Sequence, residues 1–370
     1  MTKKVNPLNT VFFIGTPLIA VLGGGYYGWS HGITWVAVML FFGMLTLTLM
    51  SISAGYHRLF AHRTHEAAPW LKVCYLIFGA AAFQHSCLRW ATEHRLHHRF
   101  VDTDADPYNI KAGPFWAHIG WILYDDFQER PAPKDLLEDP LVMWQARYWV
   151  PLGILFCFGF PMAIGAYFGD AWGGLLFGGF VRLVVAHHLT FMINSLAHMI
   201  GSQPYTDENT GRDSWITAIF TFGEGYHNFH HWNPGDYRNG IRFYHWDPPK
   251  WFIRTMSWFG QTWACKRAPE EAILRARIKM EHQRVRSRHG SFGEKFDELF
   301  ENLMHEIDRL SKRRQAWIEG MRSSSADRIE TEVAKLRETY IETKRQYRQS
   351  YRAWRGLVRQ AGASSGVVSQ

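Results

Sequence analysis

Four long apolar stretches are the main feature of the pattern of hydrophobic and polar positions along this chain. Each comes close to the roughly 20 mostly apolar residues that a helix needs to cross a bilayer. The stretches cover about residues 10–29, 33–55, 148–168 and 172–196. The pattern predicts an all-α protein built on a four-helix transmembrane bundle. Apolar helices buried in the core of a soluble protein are the alternative.

The positions of Lys and Arg predict how these helices cross the membrane. The connectors "GWSHGIT" and "GDAWGG", which join the first span to the second and the third to the fourth, contain neither residue. Lys3 and Lys4 precede the first span, and residues 57–147 and those after 200 are rich in both types. Because short basic loops stay in the cytoplasm, we expect the N-terminus, the middle segment and the C-terminus on that side. A shorter apolar run at residues 71–83 is too short to span and is interpreted as interfacial or re-entrant.

The composition becomes charged and helical after residue 265. Apolar residues recur there at three- and four-residue steps, from Phe292 to Leu310 and from Val333 to Trp354, and "SSSAD" (323–327) separates the two series. This periodicity predicts two amphipathic helices packed as a hairpin. We therefore divide the chain into a transmembrane domain (1–280), a basic helical-hairpin extension (281–360) and a disordered tail (361–370).

Composition and charge sharpen this interpretation. The chain has 370 residues, of which 16% are aromatic, including 17 Trp, and Trp and Tyr favour the bilayer interface. Residues 261–360 contain 23 Lys and Arg against 15 Asp and Glu, a surplus of 8 that equals the net charge of the whole chain. The basic character belongs to this region, and we expect no nucleic-acid partner. The four cysteines are far apart and form no C-x-x-C pair, so any metal must rely on His and oxygen ligands.

Histidines are concentrated at four places, all near the predicted cytoplasmic ends of the spans. In a helix, positions i, i+3 and i+4 lie on one face, so both H-x-x-H-H motifs present three imidazoles together, and Asn194 and His198 share a face. His57 and His62 are five residues apart, which splays them by about 140° on an ideal helix. We expect them to lie on either side of a metal where the helix ends. The nine histidines are His57, His62, His94, His97, His98, His198, His227, His230 and His231.

Nine imidazoles are too many for one metal ion but suit two, and imidazole binds Fe, Zn, Cu and Ni. We therefore predict a cytoplasmic helical cap that holds a di-metal site. A chance cluster of surface histidines on amphipathic helices is the alternative. The nearby carboxylates Asp102, Asp104, Asp106 and Glu224 are candidates for orienting the ring nitrogens that face away from the metals. The aspartates are also consistent with ordinary loop and cap positions.

These motifs resemble those of the membrane fatty-acyl desaturases of the stearoyl-CoA desaturase type. The stretches "ISAGYHRLFAHR", "EHRLHHRFVDTDADPYN" and "GEGYHNFHH" look like the three histidine boxes of that family, and "NSLAH" looks like its additional Asn and His. The resemblance covers about residues 10–280. It implies a non-haem di-iron centre bound by the nine histidines, with Asn194 holding a metal-bound water.

The resemblance also implies an activity and its partners. The family introduces a cis double bond, delta-9 by default, into a long acyl chain on coenzyme A, using O2 and two electrons. Gln84, Trp90, Thr190 and Phe191 match positions that line the acyl tunnel, although Phe191 replaces the Trp usual in the animal enzymes. No cytochrome b5-like segment is present, so we expect a separate donor such as ferredoxin, rubredoxin or cytochrome b5 with its reductase. We expect a bacterial inner membrane as the location.

Three other functions stay open at this level. A membrane hydroxylase shares the histidine-rich di-iron plan but yields an alcohol, and an acyl-lipid desaturase acts on phospholipid-linked chains. A metal transporter or metal-sensing scaffold is the third. Transport requires polar ligands near the bilayer midplane, whereas these histidines lie at the cytoplasmic ends, which favours an enzyme.

Overall fold

A computed structural model describes residues 4–125, 131–289, 294–322 and 329–364. The chain is about 74% helical, which confirms the all-α prediction. It divides into two units. The first comprises the residues up to 203 and 208–267, and the second comprises 204–207 and the residues from 268 onward.

The first unit begins with four helices, and each starts at a residue suited to that position. Pro7 and Pro69 occupy the first helical position, where a missing N–H costs nothing. Thr34 and Ser86 accept hydrogen bonds from backbone N–H groups of the first turn. The helices are α1 (Pro7–His31), α2 (Trp35–Ala61), α3 (Pro69–Ala80) and α4 (Cys87–Phe100).

Further helices complete this unit. Short turns follow α4 at Ile110–Ala112, Trp116–Gly120 and Trp121–Leu123. The next helices are α5 (Lys134–Leu137), α6 (Pro140–Tyr167), α7 (Ala171–Met199), α8 (Trp215–Phe220), α9 (His227–Trp232) and α10 (Pro248–Trp258). Two antiparallel pairs of two-residue strands tie distant segments together. They are β1 (Lys4–Val5) with β3 (Tyr124–Asp125), and β2 (Glu66–Ala67) with β4 (Thr262–Trp263).

Four of these helices are long and apolar enough to cross a membrane. They are α1, α2, α6 and α7, and they contain 25, 27, 28 and 29 residues. The four-span prediction is confirmed, and each helix extends beyond the predicted stretch at one or both ends. The short apolar run forms α3, which packs against α2 and α6.

Each span contains a stretch of wider, π-type turns, and the longest of these ends α2. It covers Ser51–Ala61 and closes with a hydrogen bond from the backbone N–H of His62 to the carbonyl oxygen of His57, 3.0 Å away. Such i→i+5 turns are rare and frequently mark functional sites. Every residue of this stretch is buried.

The packing of α2 on α3 depends on two glycines, each facing a tyrosine of the other helix. A Cβ atom on Gly79 would lie 2.3 Å from the ring of Tyr56, and one on Gly55 would lie 2.6 Å from Cβ of Tyr75. Small residues of this kind let membrane helices approach closely. The arrangement fixes the C-terminal part of α2, which includes His57.

The second unit contains three helices, α11 (Glu270–His289), α12 (Glu294–Arg322) and α13 (Ile329–Ser364). Their shared core includes Ile278, Phe296, Leu303, Ile307 and Trp354. Residue 280, where the sequence placed the end of the transmembrane domain, lies within α11. Residues 361–364 of the predicted tail belong to α13, whereas 365–370 and the separator at 323–328 lie outside the described residues.

Candidate metal centre

The nine histidines come from four places in the first unit and converge into two sets. The end of α2, the C-terminal half of α4, the end of α7 and the short helix α9 supply them. One set contains His57, His62, His94, His98 and His230, and the other contains His97, His198, His227 and His231. Within each set, one ring nitrogen of every member lies within 4.8 Å of those of the others.

In the five-histidine set, the Nε2 atoms point toward one another. His57 and His230 are 3.0 Å apart at these atoms, and the Nε2 atoms of His230 and His98 are 2.9 Å apart. The Nε2 atoms of His62 and His94 are separated by 2.8 Å. Five imidazole nitrogens directed at one point, on buried or half-buried side chains, form a donor set suited to a transition-metal ion.

The four-histidine set has the same character with one imidazole fewer. The Nε2 atom of His227 lies 3.1 Å from that of His198 and 3.0 Å from that of His231. His97 and His231 are 3.3 Å apart at the same atoms. Asn194, four residues before His198, is half-buried at the end of the regular part of α7.

Two of the predicted carboxylates hold ring nitrogens on the far side of the imidazoles. Asp106 lies 2.9 Å from Nδ1 of His97, and Glu224 lies 3.0 Å from Nδ1 of His57. A carboxylate accepts a hydrogen bond from Nδ1–H, which leaves the lone pair of Nε2 free for a metal. Both carboxylates are buried.

The other two aspartates differ in position. Asp102 reaches His198 indirectly, because the hydroxyl of Thr210 donates to Asp102 Oδ1 at 2.6 Å and lies 2.8 Å from Nδ1 of His198. Asp104 is exposed, and no contact with the nine histidines is recorded for it among the described residues. Tyr108, which the sequence analysis did not single out, places its hydroxyl 3.2 Å from Nδ1 of His94.

A buried ionic network supports Glu224. Arg58 donates to Glu224 at 2.9 Å and lies 2.9 Å from Asp247, while Asn239 Nδ2 donates to the second oxygen of Glu224 at 2.5 Å. Burial alone raises the pKa of Glu224, but His57 and Arg58 hold that pKa well below its usual range. Glu224 therefore stays ionised and able to accept from His57. Arg58 follows His57 directly in the sequence, but its partners at 224, 237 and 247 are visible only in the fold.

Burial favours the neutral form of several of these imidazoles. Burial, and then the proximity of other histidines, places the pKa of His94, His98 and His230 well below the ordinary value for imidazole. Burial likewise lowers the pKa of His227 to about 3. Neutral imidazole is the metal-binding form, so these four side chains are suited to bind a metal without first losing a proton.

A cavity of about 1430 Å³ adjoins the histidines. All four predicted tunnel residues, Gln84, Trp90, Thr190 and Phe191, line it, together with Asn194 and apolar side chains from α1, α2 and α6. The indole of Trp90 stacks on the ring of His94, with centroids 5.0 Å apart and planes 20° apart. Its Nε1–H donates to Oε1 of Gln84 at 3.2 Å. His57 and His94 also line this cavity, so it reaches the five-histidine set directly, beside Trp90.

Comparisons with known proteins agree with this geometry. The family model described as "fatty acid desaturase" matches residues 33–256. The chain is 40% identical over 289 residues to acyl-CoA desaturase 1 of Saccharomyces cerevisiae, covering 76% of this chain and 56% of the relative. It is 40% identical over 290 residues to a probable acyl-CoA desaturase of Schizosaccharomyces pombe, covering 77% of this chain and 60% of the relative. It is 34% identical over 280 residues to a Delta(9)-fatty-acid desaturase of Caenorhabditis elegans, covering 72% of this chain and 82% of the relative.

Proposed function

The chain belongs to the fatty acid desaturase family, and we propose that it is an oxygen-dependent fatty acyl-CoA desaturase. Its reaction introduces a cis double bond, at the delta-9 position, into a long saturated acyl chain. The observation that carries this proposal is that one of the two histidine sets lines, through His57 and His94, a largely apolar cavity of about 1430 Å³.

The two histidine sets would hold two iron ions, with Asn194 binding the second ion through a water. When bound, the di-iron centre supplies an oxidant strong enough to remove hydrogen from unactivated methylene groups, which no side-chain acid or base achieves. Removing two hydrogens from adjacent methylenes, together with two electrons and two protons from outside, reduces one O2 to two waters. The chain spans 56–60% of the length of the two yeast relatives, and the activity is proposed from the site together with these relatives.

The side chains around the metals have positioning roles. Asp106 and Glu224 accept from the Nδ1–H groups of His97 and His57 and so fix which tautomer faces the metal. Arg58 balances the charge of Glu224 in a site from which water is excluded. These contacts would hold the imidazoles in place around bound metal ions.

The cavity would hold the acyl chain and keep water away from it. Trp90 stacks on His94, and both side chains line the cavity. Thr190 and Phe191 line the same cavity. The Thr190 hydroxyl donates to the carbonyl of Ala186 at 2.9 Å, which removes its polarity from the tunnel surface. An apolar wall of this kind binds a saturated chain through burial of apolar area.

The membrane arrangement follows the Lys and Arg pattern, with both termini and the metal sites on the cytoplasmic side. There the thioester headgroup of the substrate and a soluble electron donor have access to the protein. The relatives named above are eukaryotic and give no support to a bacterial inner membrane, which stays a prediction.

The test combines product analysis with two substrates. Full-length protein loaded with iron in lipid nanodiscs is supplied with a reducing system and either stearoyl-CoA or phosphatidylcholine carrying stearoyl chains. Gas chromatography–mass spectrometry of derivatised products should show a delta-9 alkene from stearoyl-CoA. An alcohol would favour the hydroxylase, and an alkene from the phospholipid alone would favour the acyl-lipid desaturase. No product from either, with metal bound, would contradict the proposal.

A further inference from the structure

The C-terminal half of α13 is strongly and uniformly basic. Residues 343–364 contain no Asp or Glu. Their cationic residues are Lys344, Arg345, Arg348, Arg352, Arg355 and Arg359. A solvent-exposed helix normally mixes both signs of charge, because i, i+4 pairs of opposite sign stabilise it. An unbalanced run of this kind indicates a surface that is completed by an anionic partner.

Three of the arginines form a continuous exposed face. Arg348, Arg352 and Arg359 are exposed, and across the described part of the chain none of them has a recorded acidic partner. At about 100° per residue they lie within roughly 40° of one another around the helix axis, and at about 1.5 Å per residue they extend over roughly 17 Å. We call these three residues the basic face.

The opposite side of α13 is fixed by packing, so the basic face has a defined direction within its unit. Trp354 is fully buried, and its indole N–H donates to Glu281 of α11 at 2.9 Å. Arg355 donates to the other oxygen of the same carboxylate at 2.7 Å, and Ser350 donates to Glu306 of α12 at 2.8 Å. Glu281 thus compensates Arg355, whereas the basic face keeps its full charge.

We propose that the basic face is the docking surface for an acidic, soluble redox protein that delivers electrons to the metal centre. The inference rests on the proposed function, because desaturation takes two electrons from the acyl chain whereas reduction of O2 to two waters needs four. The four cysteines in the sequence are free and far apart, so they form no iron–sulfur cluster that would supply electrons internally. Weak, electrostatically guided encounters with small interfaces are typical of electron-transfer partners.

Anionic lipid is the other partner that an arginine face fits, and the surface chemistry disfavours it. An interfacial helix inserts Trp, Phe or Leu side chains beside its basic residues. In the described part of the second unit, the exposed large hydrophobic residues are Met321 and Ile341 alone, since the other apolar side chains fill the bundle core. The spans of the first unit also anchor the chain without further help.

The experiment measures donor binding in the absence of turnover. Full-length protein in neutral phosphatidylcholine nanodiscs is titrated with a [2Fe–2S] ferredoxin, a rubredoxin and a soluble cytochrome b5. The variant R348Q/R352Q/R359Q is compared with the control K312Q/R313Q/K335Q. The control removes the same charge from three exposed positions of the same unit that are not part of the basic face.

We expect at least one probe to bind the native protein with an affinity that falls steeply with NaCl concentration. The basic-face variant should weaken this binding at least tenfold and the control less than threefold. Equal loss in both variants, or no loss with any probe, would overturn the proposal. Trypsin protection of the basic face by phosphatidylserine nanodiscs, without any effect of the redox proteins, would assign the surface to lipid. Donor binding is measured without turnover. A failed desaturation assay would therefore contradict the proposed function without deciding whether the basic face binds a redox protein.

Discussion

The backbone N–H of His62 donates to the carbonyl of His57 across 3.0 Å, closing a turn one residue wider than that of an α-helix. With about 4.4 residues per turn, as i→i+5 bonding implies, positions i and i+5 return to the same side of the helix. The two imidazoles consequently lie 4.8 Å apart, centroid to centroid, and join the same five-histidine set. A spacing that would separate them on an α-helix therefore brings them together here.

The division of the histidines into two sets predicts two metal ions per chain. Iron-loaded protein analysed by inductively coupled plasma mass spectrometry should contain about two irons per polypeptide. Zinc found in a recombinant preparation would still count as site occupancy, since imidazole also binds Zn²⁺. A stoichiometry of one in fully active protein would disprove the two-site division.

Removal of one ligand should abolish desaturation without removing the protein from the membrane. His97→Ala deletes a member of the four-histidine set, and we expect no detectable product with membrane levels close to wild type. His305→Ala is the matched control, because His305 is exposed on α12. His282 also lies outside the histidine boxes, but it is less suitable as a control because it is buried against Phe300, with ring centroids 3.9 Å apart. Equal activity of the His97 and His305 variants would contradict the assignment of His97 as a ligand.

Asp106→Asn tests the carboxylate that orients His97. The amide no longer favours the tautomer with hydrogen on Nδ1, and loss of such a partner typically weakens metal binding by about 10- to 100-fold. Competition with a chelator, followed by metal analysis, measures this change. Asp104 is exposed and lies two residues before Asp106, so Asp104→Asn removes the same charge without touching a ligand. This variant should leave the metal affinity within about twofold of wild type. The assignment fails if the two variants retain metal equally well.

Arg58→Met should destabilise the protein strongly, because it leaves Glu224 and Asp247 ionised and buried without their shared cation. Breaking a buried ion pair in this way costs about 3–5 kcal/mol. Arg63→Met is the comparison, since that side chain is 64% exposed and lies 4.0 Å from Asp135, an arrangement worth less than about 1 kcal/mol. Thermal denaturation in detergent measures both, and similar midpoints for the two variants would be evidence against the network.

The sequence predicts the parts of this molecule that depend on local periodicity. The apolar runs predict four spans, and the i, i+3, i+4 spacing predicts which imidazoles share a helix face. The sorting of nine histidines into five and four is not predictable in this way, because it depends on how α4 and α9 meet in space. His97 and His98 are neighbours in the chain but belong to different sets. Thr210 and Asn239 lie in irregular segments, where no repeating pattern indicates that a side chain supports a metal ligand.

The glycine–tyrosine packing between α2 and α3 makes the metal centre sensitive to substitutions at residues that bind no metal and carry no reactive group. Gly79 is 15 residues from the nearest histidine of the boxes in sequence, yet an added methyl group there would collide with Tyr56, the residue next to His57. A change from glycine to alanine is ordinarily among the mildest substitutions. Here it would displace the ring of Tyr56 and, through it, the neighbouring metal ligand His57. Loss-of-function variants should therefore be sought among the small residues of α3 as well as among the histidines.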